Sequence, residues 1–133
     1  MLINLSNHPS IKWGKKQQQT AAERYGTTQD RAFPQIDPTA RAEDIQRLAE
    51  KYLADCIQQF KSEDMATAQQ STARQAVHVM GELTFVYAFV KAAAAKNINC
   101  VASTTKRTVL EEKDGRKTTR FEFIRFRAYD RRQ

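Results

Sequence analysis

An α/β domain with a mainly parallel sheet and a C-terminal β-hairpin is the fold class this sequence predicts. Three observations carry that expectation. Short apolar runs alternate with helix-length segments from Met1 to Ala102, the spacing of strand–helix–strand units. After residue 102 the period changes to two. Asp114-Gly115 then sits between two alternating segments, the strongest short hairpin signal there is.

Taken in order, Leu2–Leu5 is a buried strand, stopped by the turn formers of Ser6–Ser10. Ser10 is placed to cap a helix running to about Tyr25, with Gly26 as its left-handed stop. A weak second strand is expected at Gln29–Phe33, ended by Pro34. Asp37-Pro38-Thr39 opens the clearest helix, because Ala42, Ile45, Ala49, Leu53, Cys56 and Phe60 recur at three- and four-residue steps. The Ser, Thr, Gln and Ala of residues 62–75 read as a loop, with at most a helical turn. Ala76–Met80 is a third strand. Leu83–Ala95 is a helix apolar almost all round, closed by Asn97, and Ile98–Ala102 is a fourth strand. Thr108–Glu112 and Thr118–Phe126 form the hairpin. Such an order implies right-handed crossovers and a single Rossmann-like three-layer domain over residues 1–133.

Composition narrows the function classes. The chain has 133 residues, enough for one core without metal or disulfide staples. The two cysteines, Cys56 and Cys100, lack CxxC spacing and read as buried apolar residues, and two histidines far apart suggest no metal site. No apolar run reaches membrane-spanning length and the N-terminus lacks signal-peptide character, so a cytoplasmic protein is expected. The net charge is +7, and residues 104–133 carry ten Lys/Arg against five Asp/Glu. That excess attracts polyanions, or simply keeps a surface solvated.

In open α/β sheets, ligands bind beyond the carboxyl ends of the strands, beside helix N-termini. Three segments meet that description: Ser6-Asn7-His8-Pro9-Ser10, Met80-Gly81-Glu82-Leu83-Thr84, and Ser103-Thr104-Thr105-Lys106-Arg107. Each also has a plain structural account: Ser10 caps, Gly81 turns, Ser103–Thr105 starts a hairpin. Their convergence, with Lys106 and Arg107 in one of them, favours a site for a phosphate-bearing ligand. Glu82 would repel such a ligand unless it caps the helix or meets a hydroxyl or a cation. His8 could act as a general acid or base, or be a surface residue, and His78, inside a strand, reads as structural. Arg125 and Arg127 alternate with aromatics in the last strand, a pattern that suits base stacking and also ordinary core packing. GxGxxG and GxxxxGK[ST] are absent, which disfavours classical dinucleotide binding and NTP hydrolysis.

The segments Asn4–Ser10, His78–Phe85, Ala102–Arg107 and Phe123–Tyr129 together resemble the small stand-alone CRISPR-associated proteins of the CARF-like group, some of which are ring nucleases. The resemblance implies a homodimer that binds a cyclic oligoadenylate and cleaves it without metal or cofactor, a ribose 2′-hydroxyl attacking the adjacent phosphorus in line. It assigns Ser6, Asn7, Ser10, Gly81, Glu82 and Thr84 to the pocket, and Thr104, Thr105, Lys106 and Arg107 to the phosphates. It lets Arg125 or Arg127 reach across the interface. His8, Lys106 and Arg107 are the candidate catalytic groups. A binding-only sensor or sponge of the same fold, or a general nucleic-acid-binding protein, are the competing expectations. No membrane partner is expected, and long nucleic acid is a lesser expectation than a ring.

Overall fold

The computed structural model describes residues 1–66 and 74–131. Strands β1 (Leu2–Ser6), β2 (Thr28–Ala32), β3 (Ala76–Val79), β4 (Cys100–Glu111) and β5 (Lys117–Ala128) form one sheet in the order β2-β1-β3-β4-β5. The first four run parallel, and β5 returns antiparallel along β4. The chain is thus mixed α/β with a mostly parallel sheet. Among the described residues no helix is long and apolar enough to cross a membrane.

Strand alternation divides the core between two faces. Ile3, Leu5, Val77 and Val79 join one cluster with Leu53, Cys56, Phe85 and Phe89 of α2 (Ala42–Ala66) and α3 (Leu83–Ala95). Leu2, Ala76 and Val101 turn the other way, toward Trp13 and toward Ala21 and Tyr25 of α1 (Lys15–Tyr25). Cys56 and Cys100 are buried free thiols in helix and strand, and burial pushes them up to about 11 and about 12. They are inert apolar side chains at neutral pH.

Four expectations need correction. Helix α2 begins at Ala42, not at Asp37-Pro38-Thr39, where the Asp37 carboxylate instead accepts from the Thr39 amide and hydroxyl in a turn. Ser10 does not cap α1: a 3-10 turn (Ser10–Lys12) intervenes, Gly14 takes the N-cap position, and the Ser10 hydroxyl donates to Asp30 instead. Helix α2 runs on to Ala66, so residues 62–66, expected in a loop, are helical, while residues 67–73 of that expected loop lie outside the described residues. Most consequential is β4. Residues 98–102 and 108–112 were expected as two strands joined by a loop, but Cys100–Glu111 is one strand of 12 residues. Thr104 and Thr105 pair with Arg125 and Phe123, so no backbone there is free to form a strand-end loop.

The hairpin therefore stands out from the body. Residues 105–122 are all exposed, and Thr104–Glu111 carry β4 roughly 25 Å past the carboxyl edge of β3. A β-bulge fixes how the arm joins the core. Thr104 faces Arg125 and Thr105 faces Phe123, leaving Ile124 as the extra residue. The insertion reverses strand parity, so Phe123 and Phe126, three apart, share one face and pack at 4.9 Å. Phe121, on the same face but farther out along the arm, is 68% exposed.

Phe126 touches the rings of Trp13, Tyr25 and His78 besides Phe123. Truncating it removes the centre of that cluster. We expect Phe126→Ala to cost about 3–5 kcal/mol in urea denaturation and Phe121→Ala less than about 0.5 kcal/mol. Equal costs would contradict the bulge.

Candidate functional site

Asp30, Asn4 and His78 stand at one register level on β2, β1 and β3, forming a polar row across the sheet on the face that α1 covers. Asn4 is 1% exposed and His78 2%. Buried polar groups need partners, and here the partners set the chemistry. The Asn4 Nδ2 donates to the Asp30 Oδ1 (2.8 Å) and to the His8 carbonyl (2.9 Å). Both are pure acceptors, so the amide orientation is forced. Its Oδ1 then accepts from the Ser6 hydroxyl and from His78 Nδ1, both at 2.8 Å. His78 consequently carries its proton on Nδ1, and its Nε2 is a bare lone pair, buried without a hydrogen-bond partner.

The row anchors the loop after β1. The His8 carbonyl also accepts from the Trp13 indole N–H (3.1 Å), and Asp30 takes the Ser10 amide and hydroxyl, each at 3.0 Å. His8 and Asn7 are left exposed on a loop whose backbone is held from three sides. Sequence reasoning missed Asn4, Asp30 and Trp13. The available signal was an amide within the otherwise apolar run Leu2-Ile3-Asn4-Leu5, which a buried strand tolerates only when its hydrogen bonds are met.

The loop after β3 lies beside this one, because β1 and β3 are neighbours and the Met80 amide donates to the Leu5 carbonyl. The chain leaves β1 toward β2 and β3 toward β4, so the crevice between the two loops is the sheet's switch point. Gly81 is there for packing: a Cβ would lie 2.4 Å from the Phe33 ring, itself edge-on to Phe85. Glu82 caps α3. Its carboxylate accepts from the Thr84 amide and hydroxyl and from the Phe85 amide, and these bonds, the Thr84 hydroxyl's first, lower its pKa. An anion at this helix N-terminus would have to displace Glu82.

Lys106 and Arg107 lie on the arm. Being consecutive in a strand, they point to opposite faces, so the sequence-predicted pair cannot close on one phosphate. Pairing sorts the remaining cations. Arg125 and Arg127 stand opposite Thr104 and Ala102 and share their face with Lys106, whereas Thr105 and Arg107 share the face of Phe123. The structure thus brings together Ser6, Asn7, His8, Ser10, Gly81, Glu82 and Thr84 at the switch point. Thr104, Lys106, Arg125 and Arg127 form one face of a wall beside it.

Among the described residues no group of three or more His, Cys, Asp or Glu side chains is arranged to hold a metal ion. A groove of about 610 Å³ between α2 and α3, lined by Ile45, Tyr87 and Ala88 among others, offers apolar surface that reaches Leu83 and Thr84 at the start of α3. A smaller one of about 270 Å³ adjoins the first loop at Ser10, Trp13 and Gln18.

Fold and site define an open, mostly parallel α/β sheet with two polar strand-end loops at its switch point and a basic β-arm beside it. The chain belongs to the family described as the uncharacterized protein MJ1673 family, whose model matches residues 1–127. No curated protein and no solved structure matches it.

Burial, with a smaller contribution from the neighbouring His8, lowers His78 from 6.5 to about 4, so it is neutral in the folded state at pH 7. The unfolded chain takes up this proton first. Stability is therefore full above about pH 6.5 and falls as pH drops toward 4, by about 3 kcal/mol from this group. Urea denaturation across that range should show the slope. His78→Asn, whose Nδ2 can stand in for Nδ1–H, should flatten it, and an unchanged slope would contradict the assignment.

Proposed function

We propose that this chain is a Rossmann-like, homodimeric ring nuclease of the CRISPR-associated CARF-like kind, which binds a cyclic oligoadenylate at the switch-point crevice. The observation that carries the reading is the sheet order, which sets the polar loops after β1 and β3 side by side at the switch point. Two polar strand-end loops meet there beside an arm with Lys106, Arg125 and Arg127 on one face. A ligand with several phosphates and several ribose hydroxyls matches both halves of that surface. Arm cations would take phosphoryl oxygens, and the side chains of Asn7 and His8 and the backbone near Gly81 would meet ribose and base edges.

In this reading cleavage needs no metal. A ribose 2′-hydroxyl attacks the adjacent phosphorus, the bond from phosphorus to the next nucleotide's 5′-oxygen breaks, and a cyclic phosphate remains. The protein contributes orientation and charge. His8 is the group able to take the hydroxyl proton or return one to the leaving oxygen, on a backbone that Asn4 and Trp13 hold still. Of the arm residues, Lys106 is the closer fit to the developing charge, because Arg125 and Arg127 share its face and Arg107 does not.

One observation favours a binding-only sensor or sponge as the second reading. Glu82 occupies the α3 amides that would otherwise stabilise a phosphoryl oxygen. Incubation with cyclic tri-, tetra- and hexa-adenylate in EDTA, followed by chromatography, separates the two. Linear products support the nuclease, and an intact but tightly held ring supports the sponge. Retention of long RNA or DNA with no ring binding sinks both. Lys106→Ala and Arg125→Ala should each weaken ring binding by about tenfold or more, the worth of one charged hydrogen bond, and Arg107→Ala should weaken it less. His8→Ala should abolish turnover while leaving binding within about threefold.

A further inference from the structure

The arm carries a second feature that the ligand reading does not use. β5 is the last strand of the sheet, and among the described residues no strand pairs with its outer side. The ladder shows which backbone groups are left over. The closing bond of the hairpin runs from the Glu112 amide to the Arg116 carbonyl. By antiparallel alternation, Thr118, Arg120 and Glu122 turn their backbone groups toward β4, and Thr119, Phe121 and Phe123 turn theirs outward. Exposed edges of this kind are commonly guarded by Pro, a bulge or like charges, and the charges here, Arg120 and Glu122, are of opposite sign and so can pair between copies. Residues 117–123 contain no Pro, and the bulge at Ile124 lies beyond them.

We propose that this edge pairs with the same edge of a second copy, antiparallel about a two-fold axis at Phe121. Among registers that keep each face of the joined sheet consistent, this one sets Arg120 opposite the partner's Glu122, twice. A shift of the axis by one residue sets Arg120 against itself or Glu122 against itself, which like charges oppose. The chosen register also matches outward backbone to outward backbone, Phe121 with the partner's Phe121 and Thr119 with the partner's Phe123. It covers a phenylalanine ring that is 68% exposed. Charges across the four strands then alternate: Lys106 faces Glu122, and Glu122 faces the partner's Arg120. Lys16, now 3.7 Å from Glu122, is an exposed surface partner that a cross-strand arginine replaces at little cost.

This assembly deepens the homodimer of the proposed function. It points the carboxyl edges of the two sheets toward each other, with the arms between them. It is tested without ligand. Sedimentation and light scattering of the full chain at micromolar concentration should give twice 15.3 kDa. Arg120→Glu and Glu122→Arg should each raise the dimer Kd by about tenfold or more, and the two together should restore it. Phe121→Lys should give monomer. Circular dichroism should show the same folded monomer in all of them, and melting should match the wild type once both are diluted below the dimer Kd, since every altered side chain is exposed in the monomer. A wild-type monomer overturns the proposal, as do single variants that stay dimeric or a double variant that stays apart. A dimer that ignores cyclic oligoadenylates keeps this inference and discards the ligand reading.

Discussion

Everything at the carboxyl edge of this sheet depends on the buried amide of Asn4. It sits at the centre of a parallel sheet, where an unpaired polar group costs several kilocalories per mole in an apolar reference medium. Its two donors reach outward to Asp30 and the His8 carbonyl, and its oxygen collects Ser6 and His78. Those four bonds turn one side chain into the link between three strands and a loop. They also dictate a tautomer for His78 and a fixed backbone for His8. A loop that would otherwise be loose thus becomes a platform, which is what a positioned functional group requires.

The second organising element is the bulge at Ile124. Without it, strict alternation would put Phe123 and Phe126 on opposite faces, and the arm would have no anchor in the α1 core. With it, both phenylalanines enter the aromatic cluster around Trp13 and Tyr25, and Arg125 and Arg127 turn to the opposite face. One extra residue therefore joins two jobs. It fastens the arm to the body and gathers cations on one of its sides.

Much of this was legible beforehand. The strands β1 and β3 and the bodies of α2 and α3 fall where the sequence placed them, because those segments are buried on one face or two and carry the matching period. Glu82 as a helix cap and His78 as a structural residue also followed from position alone. What escaped were the features set by long-range pairing. The β4 strand looked interrupted because Ser103–Arg107 has no apolar rhythm, and only β5 across from it supplies the reason to stay extended. Ser10 looked like a cap because the sequence before α1 does not reveal that Asp30, twenty residues on, takes its hydroxyl. The row of Asp30, Asn4 and His78 joins three separate strands, and no local window contains it.

The account's central claim is that the loops after β1 and β3, with the near face of the arm, form one binding surface for a phosphate-rich ring. Amide NMR of the labelled chain, titrated with cyclic tetra-adenylate, maps that surface directly. The account predicts saturable shifts concentrated in residues 6–10, 80–84 and 103–107. An absence of shifts, or shifts gathered at Ile45, Tyr87 and Ala88 in the apolar groove between α2 and α3, would contradict it.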